Sequence, residues 1–364
     1  MFRFLIVLVP LAYVGWHVWV LVPLPAWGKW TAVGLLALWT GLAIASLTRY
    51  IDRMPMWLAS AVYGVGNASL PVVVYLLLLC LVADVLRLVH VLPTGWVRDS
   101  LPAALGVAVM MAAVLLLGNL HYKDKKRVEV SLDSGGRLER PLRLVCVSDL
   151  HLGYHNRRAE LARWVDMINA EHPDAVLIAG DLIDRSLRPL LADGMAAELR
   201  RIEAPVYACL GNHEYYAGYY DSPAAVERFY ADAGITLLRD SVALPGGMGI
   251  VVIGRDDRSN GRRLGIADIV SNSGIGNTSF TILLDHQPYN LEEAELAGVD
   301  FQFSGHTHRG QFWPVSWITD WMYECSWGSH RRGATDYYVS SGLGIWGPVY
   351  RIGTQSEYLV ATIN

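Results

Sequence analysis

The chain has few cysteines, no stripe of basic residues and long stretches that carry no charge. Its four cysteines, Cys80, Cys146, Cys209 and Cys325, show neither CxxC nor other paired spacing, so neither a disulfide framework nor a thiolate-bound zinc is indicated. We expect free thiols in a reducing compartment. No run of basic residues alternates with aromatics, so nucleic acid is not an expected partner. The net charge of −4 favours no other class of partner.

Charged residues are nearly absent from the first third of the 364-residue chain, in which Leu, Val, Ala and Trp dominate. A helix that crosses the hydrocarbon core of a bilayer needs about 20 apolar residues. Four stretches approach that length. We therefore predict a transmembrane region at 1–122 with four helices, at 4–24, 30–48, 68–83 with an extension to 90, and 101–120.

The few basic residues of this region lie near the helix ends and predict its orientation. Cytoplasmic loops of membrane proteins carry an excess of Lys and Arg. Lys29 and Arg98 fall on one side of the membrane, with Arg87 as a third candidate there. The other side collects more of them, namely Arg3, Arg49, Arg53, Lys123, Lys125, Lys126 and Arg127. We expect a multi-pass protein of the cytoplasmic (inner) membrane, with everything after residue 122 facing the cytoplasm.

The remaining two-thirds have the composition of an ordinary globular domain. Residues 123–141 predict a linker with a hairpin at 129–140, because Asp, Ser and two glycines at 133–136 are a turn signal between short strands. We expect the soluble domain at 142–364. Its first strand leads directly to Asp149 and His151, which lie on the same side because side chains along a strand repeat every second residue.

The same succession of strand and polar tip recurs along the domain. One strand leads into Gly180 and Asp181, and the next leads into Asn212 and His213. Helical periodicity between the strands favours a parallel or mixed sheet, with ligands gathered at the carboxyl ends of the strands. We predict helices at 157–170 and 190–202, and strands at 142–147, 175–179, 206–210, 237–238, 249–253, 279–284, 300–303, 336–341 and 358–363.

Polar residues that bind metals thus lie at the ends of five predicted strands. Oxygen and imidazole ligands without thiolate favour Mn²⁺, Fe or Zn²⁺. Seven ligands exceed what one catalytic ion with an open position needs, and they fit two divalent ions that share a carboxylate. Two ions about 3.5–4 Å apart can hold a phosphoryl group and a hydroxide together. The seven candidates are Asp149, His151, Asp181, Asn212, His286, His306 and His308.

In their order along the chain, these motifs resemble those of the calcineurin-like metallophosphoesterases. The resemblance runs from about residue 143 to the C-terminus. It rests on Asp149-x-His151, Gly180-Asp181-x-x-Asp184, Gly211-Asn212-His213-Glu214, His286 and Gly305-His306-x-His308. The tail, with Ser341-Gly342-Leu343-Gly344 and Arg351, further resembles the membrane-associated bacterial branch of that family. After the arginine, Ile-Gly-Thr-Gln stands where relatives more often carry a cysteine and prolines.

The resemblance implies an α/β domain of two mixed β-sheets sandwiched by helices, and a metal-dependent phosphoesterase. It also implies roles. His213 would be the catalytic acid that protonates the leaving oxygen or steadies the phosphate, and Asp184 and Glu214 would support the metal ligands or the backbone around them. One ion would be held by Asp149, His151 and His308 and the other by Asn212, His286 and His306, with Asp181 as the bridge.

Aromatic residues directly follow two of the motifs, at 215–220 and at 313–327. Beside metal ligands in a membrane protein, they suit a lip that enters the membrane interface or holds an acyl chain. Ordinary packing explains them equally well. The candidate substrate contacts are Tyr215, Trp317, Trp321, Arg331 and Arg351.

The short linker to four membrane helices holds the metal site near the bilayer, which favours an amphiphilic substrate. We predict cleavage of a phosphodiester or pyrophosphate bond in a lipid-linked molecule. The resemblance points to a UDP-diacylglucosamine-type molecule, because some members of the family act on it. Two alternatives are a soluble nucleotide or phosphodiester, with the helices only an anchor, and a non-catalytic membrane sensor or adaptor, which the complete ligand set disfavours.

The charge pattern predicts the topology directly. A reporter fused after Lys126 should behave as cytoplasmic, whereas reporters placed near Gly28 or Pro93 should behave as external. Paired fusions to alkaline phosphatase and to green fluorescent protein report the two sides of the membrane. The reverse pattern would place the metal site outside the cytoplasm.

Overall fold

The computed structural model describes residues 2–274 and 279–364, with side chains from residue 8 onward. The side chain of Arg3, which entered the orientation argument, lies outside this description. The chain forms two compact units, one of Met1–Leu120 with Gly347–Tyr350 and one of His121–Trp346 with Arg351–Asn364.

Apolar helices make up the first unit. They are α1 (Phe2–Leu21), α2 (Ala26–Ser46), α3 (Met56–Asn67), α4 (Ser69–Leu88) and α5 (Leu101–Lys123), with short 3₁₀ turns at Arg49–Arg53 and Thr94–Trp96. Val14, Val72, Leu76 and Met111 are buried among them. Many other apolar side chains point outward and are exposed, as expected of helices that face lipid.

Within the described residues, three segments are long and apolar enough to cross a membrane, where the sequence predicted four. They are Ala26–Ser46, Met56–Leu88 and Leu101–Lys123. The predicted first helix falls short because its described apolar part is Leu8–Leu21. The predicted third helix starts earlier than expected, because α3 and α4 are joined through Ala68 in helical conformation.

The second unit contains two six-stranded mixed sheets, in which strands are numbered in chain order. The first sheet has the spatial order β1 (Lys125–Leu132), β12 (Ser356–Ile363), β2 (Leu142–Val147), β3 (Ala175–Ala179), β4 (Val206–Cys209) and β5 (Ile235–Leu237). β12 is antiparallel to β2, and the other neighbours are parallel.

In the second sheet, four central parallel strands are flanked by an antiparallel strand at each edge. The spatial order is β10 (Gly328–Arg332), β11 (Thr335–Val339), β9 (Phe301–Ser304), β8 (Phe280–Leu284), β7 (Ile250–Gly254) and β6 (Ser241–Ala243). The expectation of two mixed sheets is therefore confirmed.

The two sheets enclose one core and helices cover their outer faces. Leu144 and Leu177 of the first sheet are buried in the same cluster as Ile282 and Phe303 of the second. Alternate residues of these strands point the other way, towards the helices. The helices are α6 (Arg158–Asn169), α7 (Arg188–Ala192), α8 (Met195–Leu199), α9 (Asn212–Tyr220), α10 (Pro223–Asp232), α11 (Ile266–Ser273), α12 (Glu292–Leu296) and α13 (Val315–Met322).

Two predicted elements differ from the structure. The hairpin expected at 129–140 is wrong, because β1 pairs with β12, which lies between β1 and β2. The expected linker thus contributes a strand to the first sheet. The single helix expected at 190–202 is divided into α7 and α8 at Gly194, whose φ of 63° is left-handed and ends a helical run.

Candidate metal centre

The carboxyl ends of β2, β3, β4, β8 and β9 carry the predicted ligands, and the structure brings these side chains together. Six of the seven fall into two groups, in each of which the candidate ligand atoms lie within 4.8 Å of one another. The groups are Asp149, His151 and His308, and Asp181, His286 and His306. The seventh, Asn212, is buried, and its Oδ1 atom has no hydrogen-bond partner.

The ring of His286 presents a lone pair to a carboxylate. Its Nδ1 atom lies 2.7 Å from the carbonyl oxygen of Ala179, which can only accept, so Nδ1 carries the proton. In a neutral imidazole the other nitrogen then has a lone pair. That atom, Nε2, lies 3.2 Å from Oδ2 of Asp181. Two buried electron-pair donors that face each other require a proton or a metal ion between them.

His151 and His308 form a second group in which ring nitrogens face each other and a carboxylate. Their Nε2 atoms are 3.0 Å apart. Nδ1 of His151 is 3.3 Å from Oδ1 of Asp184, which favours the lone pair on Nε2. Oδ1 of Asp149 lies 3.8 Å from Nε2 of His151 and 3.5 Å from Nε2 of His308. These converging donors fit a divalent cation.

The backbone of the site is strained at several of the ligands. Left-handed φ values are uncommon for residues other than glycine, and each costs about 1–3 kcal/mol. Hydrogen bonds hold the strained loops: the amide of His306 donates to Asp149, and the amide of His213 donates to Asp181. The φ angles are 55° at Asp149, 45° at His151, 51° at Asp181, 71° at His306 and 48° at His308.

Two motif glycines allow the carboxylates to approach the backbone. A Cβ atom at Gly305 would lie 2.2 Å from Oδ2 of Asp149. A Cβ atom at Gly211 would also lie 2.2 Å from a carboxylate oxygen, Oδ1 of Asp181. Any side chain at either position would displace a candidate metal ligand.

The two other motif acids hold the ligands in place, as the resemblance implies. Glu214 accepts hydrogen bonds from the amides of Asp181, Ile183 and Gly211, at 3.0, 2.9 and 2.7 Å. Burial, with the nearby Asp181 carboxylate, raises the pKa of Glu214 to about 7. Oδ1 of Asp184 lies 3.3 Å from Nδ1 of His151 and 3.5 Å from Nδ1 of His213, so its negative charge faces both rings, and its backbone carbonyl oxygen accepts from Nδ1 of His213.

His213 lies at the edge of the ligand cluster and is partly exposed. Its Nδ1 donates to the carbonyl oxygen of Asp184, which leaves Nε2 as the atom that can give or take a proton. Burial opposes protonation, but the carboxylates of Asp181 and Asp184 raise the pKa of His213 to about 9. By contrast, burial lowers the pKa of His306, which keeps that ring neutral and able to bind metal.

The two arginines predicted to contact substrate differ in their exposure to solvent. Arg351 is 0% exposed and donates to the carbonyl oxygens of His308, Ser341 and Gly344. The expectation that it meets substrate is therefore wrong, because its donors are used to fix the His308 loop. Arg331 is exposed and lies 3.5 Å from Asp336.

The aromatic residues predicted to contact substrate also differ, because one is hydrogen-bonded within the domain and two are exposed. The hydroxyl of Tyr215 donates to Asp256 at 2.8 Å, which explains this residue by packing and hydrogen bonding. Trp317 and Trp321 on α13 are 64% and 86% exposed. Their helix is tied to the metal loop, because Thr307 Oγ1 donates to the carbonyl oxygen of Ser326 at 2.6 Å and Ser326 is hydrogen-bonded to Asp320.

A cluster beside His306 was missed from the sequence. The guanidinium of Arg258 lies 4.0 Å from the centre of the Tyr289 ring, and the hydroxyls of Tyr289 and Tyr323 are 3.0 Å apart. The Tyr323 ring is centred 6.4 Å from that of His306. The three residues come from separate loops, and only Tyr323 lies in the predicted aromatic segment, so no spacing indicated the cluster.

Comparison with known proteins identifies the same family as the sequence motifs. Residues 142–310 match the family model for calcineurin-like phosphoesterases. The chain is 31% identical over 233 residues to an uncharacterised metallophosphoesterase of Aquifex aeolicus, which covers 61% of this chain and 85% of that protein. It is 30% identical over 249 residues to an uncharacterised metallophosphoesterase of Campylobacter jejuni, covering 67% of this chain and 64% of that protein.

A third relative, from Danio rerio, is a transmembrane protein with a metallophosphoesterase domain, 30% identical over 282 residues that cover 72% of this chain and 62% of that protein. The chain thus spans less than two thirds of the length of the second and third relatives. All three matches include the metallophosphoesterase name, and the Aquifex protein is matched over most of its length. With its strand-end cluster of Asp, Asn and His ligands, the chain therefore belongs to the calcineurin-like phosphoesterase family.

Proposed function

We propose that the protein hydrolyses a phosphodiester or pyrophosphate bond in a lipid-linked substrate, at a centre of two divalent ions. The observation that carries the two-ion proposal is the position of Asp181. Its Oδ2 atom is 3.2 Å from Nε2 of His286 and 3.6 Å from Nε2 of His151, so one carboxylate reaches both ligand groups. Mn²⁺, Fe and Zn²⁺ suit these oxygen and nitrogen ligands.

The ligand assignment follows from the two groups. Asp149, His151 and His308 would hold one ion, and His286, His306 and Asn212 the other. When bound, two such ions polarise the phosphoryl group and activate water for attack on phosphorus.

His213 is the general acid in this proposal. Its ring is fixed through Nδ1, and the Asp184 carboxylate beside it favours the protonated form, from which Nε2 can donate to the leaving oxygen. Asp184 fixes this ring and that of His151 together, so the proton donor and the ligand group keep a constant separation. The proposal includes no covalent protein intermediate.

Two observations support a lipid-linked substrate. The apolar helices of the first unit are long enough to place the protein in a membrane, which we propose to be the inner membrane with the catalytic domain facing the cytoplasm. In addition, α13 exposes Trp317 and Trp321 on a segment fastened to the loop of His306 and His308. Exposed tryptophans are favoured where a protein meets the bilayer interface. A UDP-diacylglucosamine-type molecule is the leading specific candidate.

A soluble nucleotide or phosphodiester is the second candidate substrate, with the helices as an anchor. Arg258 favours it, because this exposed cation stacks on Tyr289 and has no acidic partner among the described residues. A cation beside aromatic rings suits a phosphate or a base of a water-soluble substrate. A non-catalytic sensor is less well supported, since the ligand groups are complete.

The first test of the metal chemistry is Asp181→Asn, which keeps the shape of the side chain and removes its charge. We expect turnover of bis(4-nitrophenyl) phosphate to fall by about 10³-fold, because the loss of a shared ligand removes several kcal/mol of transition-state stabilisation. Metal content by inductively coupled plasma mass spectrometry should fall as well. Asp232→Asn, the same change at an exposed site at the end of α10, is the control. Full turnover in Asp181→Asn would refute the two-ion assignment.

A second test concerns His213→Ala. Loss of a general acid lowers the rate by about 10²- to 10⁴-fold, and it matters most when the leaving group is a poor one. We therefore expect kcat to fall further for an alkyl ester than for a 4-nitrophenyl ester, while metal content stays unchanged. If the variant instead loses metal, His213 is a ligand.

A third test addresses the substrate. The intact protein should turn over the acylated form of one pyrophosphate substrate faster than its deacylated form. Trp317→Ala and Trp321→Ala should together raise KM for the acylated form by at least about tenfold, because burial of one large side chain contributes about 1.5–3 kcal/mol and about 1.4 kcal/mol is a factor of ten. Trp57→Ala, at an exposed tryptophan of α3, is the matched control. Equal rates on both forms, unchanged by the α13 substitutions, would exclude the lipid-linked substrate and leave the metal chemistry intact.

A further inference from the structure

A polar cavity lies within the helical first unit. Its volume is about 210 Å³, and it is bounded by the end of α1, the start of α2, the end of α4 and the loop that precedes α5. The loop is fixed to α1, since the amides of Asp99 and Ser100 donate to the carbonyl oxygens of Val20 and Leu21, each at 2.9 Å. The cavity is therefore a built feature of one end of the bundle.

Positive charge dominates the lining of this cavity. Lys29, Arg87 and Arg98 line it, with Asp99 as the one acidic residue among the lining residues. Lys29 is paired with Asp99. Arg98 is exposed and has no acidic partner among the described residues. An uncompensated cation at a membrane boundary attracts an anion.

The third cation, Arg87, has a partner that is already shared. Its Nη1 atom lies 3.3 Å from Oδ1 of Asp84. Asp84 also accepts a hydrogen bond from the hydroxyl of Tyr13 at 2.7 Å and lies 3.1 Å from Nε2 of His17. This shared carboxylate leaves donors of the Arg87 guanidinium available to the cavity.

Apolar cavities adjoin the polar one on two sides. One, of about 580 Å³, lies between α1 and α2 and shares Trp16 and Trp19 with it. The other, of about 220 Å³, lies among α1, α4 and the start of α5 and shares His17 and Val97 with it. The tryptophans thus stand at the border between a basic cavity and an apolar groove, which is where amphipathic rings settle in a membrane interface.

We propose that this end of the bundle binds an anionic phospholipid, with its phosphate held by Arg87 and Arg98 and its acyl chains in the two apolar cavities. The charge of the lining selects a headgroup with net negative charge over a zwitterionic one. The site is formed by residues of the first unit alone and is distinct from the metal centre. It therefore does not depend on the proposed substrate.

Native mass spectrometry of the full-length protein in detergent tests this directly. Phosphatidylglycerol and phosphatidylcholine with identical acyl chains are titrated separately. We expect one saturable copy of phosphatidylglycerol, bound at least tenfold more tightly than phosphatidylcholine. Deacylated glycerophosphoglycerol should fail to compete. Equal binding of the two lipids, or full competition by the deacylated headgroup, would overturn the proposal.

Variants locate the site. Arg98→Gln should weaken phosphatidylglycerol binding about tenfold, and Arg98→Lys should restore most of it because the charge is kept. Arg98 has no acidic partner within the described chain, so its replacement leaves the bundle packing intact. Arg53→Gln removes the same charge at the opposite end of α2 and should bind like the wild type. Unchanged binding in Arg98→Gln would place the lipid elsewhere.

Discussion

The rest of the domain depends on one cluster of buried carboxylates and imidazoles whose lone pairs face one another. At the ends of five strands, carboxylate oxygens and imidazole nitrogens face one another at 3.0 to 3.8 Å with lone pairs directed inward. Without a cation, burial of such groups costs several kcal/mol. Gly305 and Gly211 leave room for the carboxylates of Asp149 and Asp181 in this cluster, and the left-handed backbone at the ligands directs their side chains into it.

Buried residues outside the ligand set hold the left-handed backbone at the ligands in place. Glu214 holds the turns of the second and third motifs together through three amides. Arg351 holds the fifth motif, because its buried guanidinium donates hydrogen bonds to carbonyl oxygens of the His308 loop and of the 341–344 turn. A buried arginine is costly unless its donors are satisfied, so the tail of the domain is bound firmly to the site.

Local patterns in the sequence sufficed to predict the ligand cluster because the ligands follow short apolar strands, and ligands gather at the carboxyl ends of parallel strands in both sheets. The same reasoning failed where partners are distant in sequence. The pattern at 129–140 predicts a hairpin, because nothing local indicates that the true neighbour of β1 is β12 at the far end of the chain. The motif around Arg351 predicts a substrate contact, because exposure cannot be read from a motif. Three separate loops bring together Arg258, Tyr289 and Tyr323, and no sequence periodicity predicts contacts between loops.

The order of strands in the first sheet has a consequence for synthesis. β12 is the last of the described strands to be made, yet it lies between β1 and β2, which are the first. Every ligand from Asp149 to His308 is therefore translated before the sheet beneath it can close. Pairing across so long a loop is slow, and unpaired strand edges remain open in the meantime. The first sheet therefore cannot be completed until β12 has left the ribosome.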